Sequence, residues 1–393
     1  MSTNYFHRIP IAKKIAEFCL SEDGKSGLFI SAPRRTGKST LITEDIIPLM
    51  RDAQAEVIYV DLWTDKTRDP GDLISEAIRD YLHQREGLIL RWARKGGLDK
   101  INLAGIQLDI NKVGIGTGKT IAKALAELSD ASKKMIVLVI DEAQHAITSK
   151  AGESALFALK AARDQLNGSA HFGFRLIATG SNRDKLSLLI HGKEQAFLNA
   201  VFMDLEPLGE DYLAWELNRY SDKIKPSMAV LGETFQTSGN KPESLRKALN
   251  ELRLQTGVDA ANVDTVFLGL MRKKSAEEKQ VFMQEFNGLP AVQAAVVVVM
   301  AWMGDDFAPF RPQTIQYYST VFKQLSGTKM PDAKESNIQY ALEALREKSM
   351  IWKSARGVYA IEDTQHRTWL REEFTLEPQA KIVAKSRKKI PLK

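Results

Sequence analysis

An apolar run, Leu28-Phe29-Ile30-Ser31, leads directly into Ala32-Pro33-Arg34-Arg35-Thr36-Gly37-Lys38-Ser39-Thr40. The order is strand, tight loop, helix start, and the loop closes on Gly-Lys-Ser. This is the phosphate-loop (Walker A) pattern, with Ala32 in place of its first glycine. It constrains the fold because the loop works only between a strand and a helix N-terminus, where the helix dipole favours negative charge. Pro33, Arg34, Arg35, Thr36, Gly37, Lys38, Ser39 and Thr40 are therefore the expected lining of a nucleotide's phosphates. Gly37 lets the backbone approach closely. Lys38 reaches the β- and γ-phosphates, and Ser39 ligates Mg²⁺. ATP and Mg²⁺ are the expected ligands.

A second motif completes the first. Met135-Ile136-Val137-Leu138-Val139-Ile140-Asp141-Glu142 reads as a buried strand ending in two carboxylates, the Walker B pattern. Asp141 is the expected Mg²⁺ ligand, and Glu142 the group that orients and polarises the attacking water. Phosphoryl transfer needs positioning and charge neutralisation more than covalent chemistry, so these few groups suffice. Phe174-Arg175-Leu176-Ile177-Ala178-Thr179-Gly180-Ser181-Asn182 is a further strand with a polar tip. Ser181 and Asn182 are candidates to sense the γ-phosphate or align the water, with Thr179 ranked below them. Gly116-Thr117-Gly118-Lys119-Thr120 imitates a second phosphate loop, but Val113 stands where a small residue belongs. It is read as a helix N-terminus.

Strands expected over 57–62 and 201–205 alternate with helices, as over 70–85. The expected fold class is an α/β P-loop NTPase core with a parallel sheet, helices on both faces and its site at the strands' C-terminal edge. Residues 87–118 read as an insertion with a basic patch (Arg85, Arg91, Trp92, Arg94, Lys95) and a β-ribbon over 101–116. Beyond 207 the pattern turns helical, with Lys241 and Arg246 as cations able to reach a nucleotide. Three helices (290–303, 313–325, 336–348) and two short strands then form a winged helix-turn-helix, its third helix the groove reader. Glu343 and Glu347 on that helix oppose phosphate binding; Lys353, Arg356 and Arg367 favour it. The expected domains are a core over 1–206, a helical lid and connector over 207–287, a winged helix over 288–375 and a disordered basic tail over 376–393.

Composition narrows the classes. The longest apolar run, 291–303, falls short of the ~20 residues of a membrane span, so no membrane partner is expected. The first ten residues carry no secretory pattern, Cys19 is the one cysteine, and a cytoplasmic protein is expected. Net charge is +6, but six of the 55 basic residues lie in 381–393, and the remaining 49 balance the 49 acids. Duplex DNA, gripped by the winged helix and the basic tail, is a candidate partner; so are another protein and a second copy of this chain, as a homo-oligomer. The histidines show no ligand spacing, which argues against a metal-hydrolase site.

Residues 32–39 resemble the G-P-R-R-x-G-K-[ST] loop of archaeal-ATPase-like P-loop proteins, relatives of the AAA+ and STAND ATPases. Val139-Ile140-Asp141-Glu142-Ala143-Gln144 resembles their Walker B, Thr179-Gly180-Ser181 their sensor 1 strand end, and Arg356-Gly357-Val358-Tyr359-Ala360-Ile361-Glu362-Asp363 their C-terminal module. The resemblance covers roughly residues 5–375. It implies an ASCE-type core, a lid, a winged helix and an N-terminal segment near the adenine, making Tyr5, Phe6 and Arg8 candidates there. Asp141-Glu142-Ala143-Gln144-His145 is also similar to ATPases of transposition target selection. One departure stands out: AAA+ rings place a trans arginine finger before the last core strand, and residues 191–200 contain no arginine. Arg183, Arg34 and Arg35 are the substitutes. A finger is worth roughly 10³–10⁵ in rate, so slow turnover is expected. The leading reading is a slow ATPase that switches binding to DNA or a protein. The alternatives are a nucleotide-gated sensor with negligible hydrolysis and a transposition or DNA-regulatory ATPase.

Overall fold

The computed structural model describes residues 5–65, 67–95, 113–114, 120–168, 171–181, 183–191, 196–220, 224–330, 334–355, 358–376 and 382–384. The chain divides into two compact units, Met1–Glu206 and Pro207–Lys393.

In the first unit, β1 (Leu28–Ser31), β2 (Glu56–Asp61), β3 (Ile136–Asp141), β4 (Phe174–Gly180) and β5 (Val201–Asp204) form one sheet in the order β2-β3-β4-β1-β5. Every pairing is parallel. Strands β3 and β4 are buried along their whole length, which explains their unbroken apolar runs. Successive residues feed opposite cores. Phe29, Ile58, Leu138 and Ile140 join one apolar cluster; Leu28, Ile30, Val57 and Val139 join another. That period of two gives the sheet helices on both faces.

The helices of this unit are α1 (Ile9–Leu20), α2 (Lys38–Thr40), α3 (Ile47–Asp52), α4 (Pro70–Gln84), α5 (Glu86–Lys95), α6 (Ile121–Ser132), α7 (Lys150–Leu166) and α8 (Arg183–His191). The helix after the phosphate loop is not uniform. Between α2 and α3 lies a π segment, Leu41–Ile46, in which the Ile47 N–H reaches back five residues to the Ile42 carbonyl. Pro48 supplies the reason: it lacks an N–H, and its ring would crowd the carbonyl four residues back in an α-turn. Asp69 caps α4, accepting from the Gly71 N–H. Thr120 caps α6, accepting from the Lys123 N–H.

Residues Glu86–Lys95 form a regular helix. Arg85 of the basic patch is exposed but paired: its Nε donates to Glu56 Oε2 at 2.9 Å, beside the Tyr81 hydroxyl on the same oxygen. The carboxylate of Glu56, buried at the start of β2, demands those donors. The β-ribbon falls outside the described residues except for 113–114.

The second unit opens with α9 (Glu210–Arg219), α10 (Met228–Thr237), α11 (Pro242–Leu254) and the long α12 (Val263–Asn287). Then come α13 (Ala291–Met303), α14 (Pro312–Ser326), α15 (Glu335–Glu347) and an antiparallel hairpin of β6 (Ile351–Ala355) and β7 (Val358–Ile361). Helix α13 is buried from residue 293 to 301, so it is the centre of this unit's core, which accounts for its being apolar all round. No helix among the described residues is long and apolar enough to cross a membrane. After the hairpin, α16 (Thr364–Glu373) packs Trp369 and Leu370 into the core. A second hairpin joins β8 (Phe374–Leu376) to β9 (Ile382–Ala384). Strand β9 falls within the stretch read as a basic tail, where Ile382-Val383-Ala384 is a β-favouring run. Residues 377–381 and 385–393 lie outside the described residues.

Candidate nucleotide site

The C-terminal ends of β1, β3 and β4 lie side by side, since β1 pairs with β4 and β4 with β3. The loop after β1 is held by the Thr36 hydroxyl, which donates to the Pro33 carbonyl at 2.7 Å. Arg35 (φ +66) and Gly37 (φ +84) are left-handed. Left-handed residues interleaved with right-handed ones turn successive N–H groups inward, an anion-binding concavity. Gly37 caps α2, its carbonyl accepting the Leu41 N–H at 3.0 Å. Thr40 ends α2.

Lys38, 6% exposed, turns its ammonium to Asp141, to Glu142 Oε1 at 3.0 Å and to Thr179 Oγ1 at 3.2 Å. Ser39 Oγ donates to Asp141 Oδ2 at 2.6 Å, and the Thr179 hydroxyl donates to Asp141 Oδ1. Burial works to raise the Asp141 pKa but is outweighed by the Lys38 charge and the three donors, so the carboxyl sits below its ordinary value. Glu142 takes a left-handed backbone (φ +55) at the strand's end. Its Oε2 accepts from Ser181 Oγ at 2.7 Å, from the Ser181 N–H at 3.3 Å and from Gln144 Nε2 at 2.5 Å. For Glu142 too, burial is outweighed by the Lys38 charge and by donors from Ser181, Lys38 and Gln144, and its pKa is lowered. Tyr59 on β2 is pushed the other way, by burial first and then by the charges of Asp141 and Asp61. Gly180 lies under Gln144: a Cβ there would collide with Gln144 Oε1.

The structure therefore gathers Lys38, Ser39, Asp141, Glu142 and Ser181 at one edge. It also puts Thr179, ranked below Ser181 and Asn182 from the sequence, at the centre. Asn182 lies outside the described residues. Gln144 was quoted only as part of the Walker B resemblance; its amide holds the Glu142 carboxylate. Arg34 Nε donates to Ser181 Oγ at 3.3 Å, and its guanidinium lies 4.7 Å over the Trp63 ring. Arg183 pairs instead with Asp204 at 2.5 Å, on β5. The N-terminal segment is pinned to the π segment by Asp45, which takes His7 Nδ1 at 2.6 Å and the Arg8 N–H at 2.8 Å. Arg8's guanidinium also donates to the Glu206 carbonyl at 2.6 Å. Within the second unit, Arg246 pairs with Glu216 at 3.2 Å and Lys241 with Asp363 at 2.9 Å.

Among the described residues no group of three or more His, Cys, Asp or Glu could hold a metal unaided. Mg²⁺ in a phosphate site takes one or two protein oxygens, with phosphate and water oxygens completing its shell. The hard oxygens of Ser39 and Asp141 fit that role.

Residues 21–186 match the family model of the AAA domain. The Walker-type ATPase of Pyrococcus abyssi has a similar fold, with a TM-score of 0.57 and 19% identity over 94% of this chain and 96% of that one. The ORC2 protein of Aeropyrum pernix, solved as ADPNP–ADP complexes, gives a TM-score of 0.55 and 13% identity over 94% of this chain and 95% of that one. At these identities the likeness is one of fold, and it agrees with the archaeal-ATPase-like character of the motifs. No curated protein sequence matches this chain.

Proposed function

We propose that this chain, whose residues 21–186 form an AAA domain, binds ATP, hydrolyses it slowly and uses the nucleotide state to control binding to DNA or a protein partner. The observation that carries the reading is the convergence of Lys38, Ser39, Asp141, Thr179, Glu142 and Ser181 at one sheet edge, beside a concave loop at a helix N-terminus. In the reaction, water oxygen attacks the γ-phosphorus while the bond to the ADP oxygen breaks, its electron pair staying on the β-phosphate. Glu142 accepts the proton that the water loses. Lys38 and the loop N–H groups neutralise the phosphate oxygens. Ser39 and Asp141 would hold Mg²⁺, which would supply further charge neutralisation to the phosphates.

Slow turnover has a physical reason. Lys38, Ser181 and Gln144 occupy both oxygens of Glu142 and lower its pKa. A carboxylate so held is a weak base at neutral pH. Binding of ATP draws Lys38 onto phosphate and releases Oε1, so base activation follows substrate binding.

We assign the ATPase core to residues 1–206, the lid and connector to 207–287, and the winged helix to 288–375, with the basic residues of the C-terminal stretch as an auxiliary grip. On α15, Glu343 takes up Arg346 at 2.7 Å and Gln339 at 2.8 Å, while Tyr340 is 75% exposed. That face favours a protein partner over a phosphate backbone. Lys38→Ala should abolish ATP binding, measured by calorimetric titration. Labelled duplex titrated with the chain in MgATP and in MgADP then separates the partners. Affinity that changes with nucleotide supports DNA; duplex binding equal in both states and intact in Lys38→Ala rejects nucleotide control of DNA. ATP binding retained by Lys38→Ala would overturn the site.

A further inference from the structure

Arg34 sits in a seat built from three strand ends. Its Nε–H donates to Ser181 Oγ at the tip of β4, and that hydroxyl donates onward to Glu142 Oε2 after β3. Its guanidinium lies over Trp63, in the turn after β2. Trp63 packs on His145, from the 3₁₀ turn Ala143–Thr148 that follows Glu142, with ring centroids 4.4 Å apart. Holding a long, exposed side chain this way costs rotamer freedom. The terminal nitrogens of Arg34 make no hydrogen bond among the described residues. A planar fork on the phosphate loop itself, anchored through Nε and lying over an indole, keeps both NH₂ groups for a ligand rather than for a described protein partner.

We propose that Arg34 is an arginine finger acting within its own chain. Its NH₂ groups contact the γ-phosphate of ATP held by the same loop and neutralise the charge that spreads over its oxygens as the bond to ADP breaks. Arg34 transfers no proton; the water's proton goes to Glu142. The absence of arginine from 191–200 is then no defect, because the charge comes from the loop. Arg183, another of the three candidates, is committed to Asp204 and lies 5.7 Å over Phe202 at the sheet edge. The consequence is hydrolysis that needs no second copy.

The inference rests on the ATPase reading, and its test separates the two. Single-turnover phosphate release is measured for the wild type, Arg34→Ala, Arg34→Lys and Arg183→Ala over a range of protein concentrations. Binding of MgADP and of MgADP with aluminium fluoride is measured in parallel. Arg34→Ala should slow release on the order of 10³-fold, keep its MgADP affinity and lose the extra affinity for the aluminium fluoride complex. Arg34→Lys should recover little, since an ammonium cannot keep the fork or the stack. Arg183→Ala should match the wild type, and the rate per chain should be constant on dilution. Intact MgADP binding with unimpaired hydrolysis by Arg34→Ala overturns the finger alone, as does a rate per chain that climbs with concentration. A wild type that binds no MgADP overturns the ATPase reading with it.

Discussion

Asp141 is 1% exposed, yet its pKa is lowered, so it is ionised at neutral pH. A buried carboxylate is tolerated only when donors replace its water. Lys38, Ser39 and Thr179 do so, with Thr179 sharing Oδ1 with Lys38. Thr179→Val keeps the side-chain volume and removes that hydroxyl, at an expected cost of about 1–3 kcal/mol. Thermal unfolding should fall by several degrees, and MgATP hydrolysis should drop about tenfold as Lys38 and Asp141 lose a shared anchor. A melting temperature and rate equal to the wild type would contradict this. Lys38, Ser39, Asp141 and Glu142 were legible because each motif carries its own spacing. Thr179 was legible only as a lesser candidate, and the roles of Gln144 and Trp63 were not, because they depend on register between strands, such as Ile140 beside Ala178. No local pattern encodes that register.

At the scale of elements, the second unit ties its opening helices to the segment after the hairpin. Lys241, at the start of α11, bonds Gln365 Oε1 at 2.7 Å as well as Asp363, and lies 3.6 Å from Glu278 on α12. Gln365 Nε2 also donates to the Thr237 carbonyl at 2.9 Å, at the end of α10. His366 stacks on Phe282 with centroids 4.0 Å apart. Burial pushes its pKa below 6.5, opposed by the charges of Asp363 and Glu278 and aided by Lys241. The sign follows from linkage. As pH falls below about 6.5 the unfolded chain takes up this proton first, so His366's contribution is full above that value and is lost as pH drops through the folded one. The melting temperature should therefore fall as pH is lowered from neutrality through 6.5. His366→Phe, which keeps the stack, should flatten that fall in scanning calorimetry; identical slopes would exclude His366 as the source. Caps and prolines made most helices legible, as at Asp69-Pro70 and Pro242. The π segment was not, since a six-residue change of period is too short to read. Nor was α16 anticipated, a short helix fixed by packing Trp369 and Leu370 into a distant core.

Across the whole molecule, the fold class was legible because buried strand runs alternate with helices, and a parallel sheet is what such alternation builds. The sheet order then does the chemical work. With β1 between β4 and β5, and β3 on the far side of β4, the phosphate loop and both carboxylates open on one edge. The partner was less legible, since α15 is net acidic, with Glu335, Glu343 and Glu347 against Arg346, while the basic excess lies in one terminal stretch. The nucleotide step underlies everything assigned to the winged helix. The most direct measurement is the nucleotide retained after gel filtration of the 393-residue chain incubated with Mg²⁺ and labelled ATP, wild type beside Glu142→Gln. The wild type should emerge carrying ADP, and Glu142→Gln should carry intact ATP in stoichiometric amount. ADP formed by Glu142→Gln at the wild-type rate would contradict the assignment of the base.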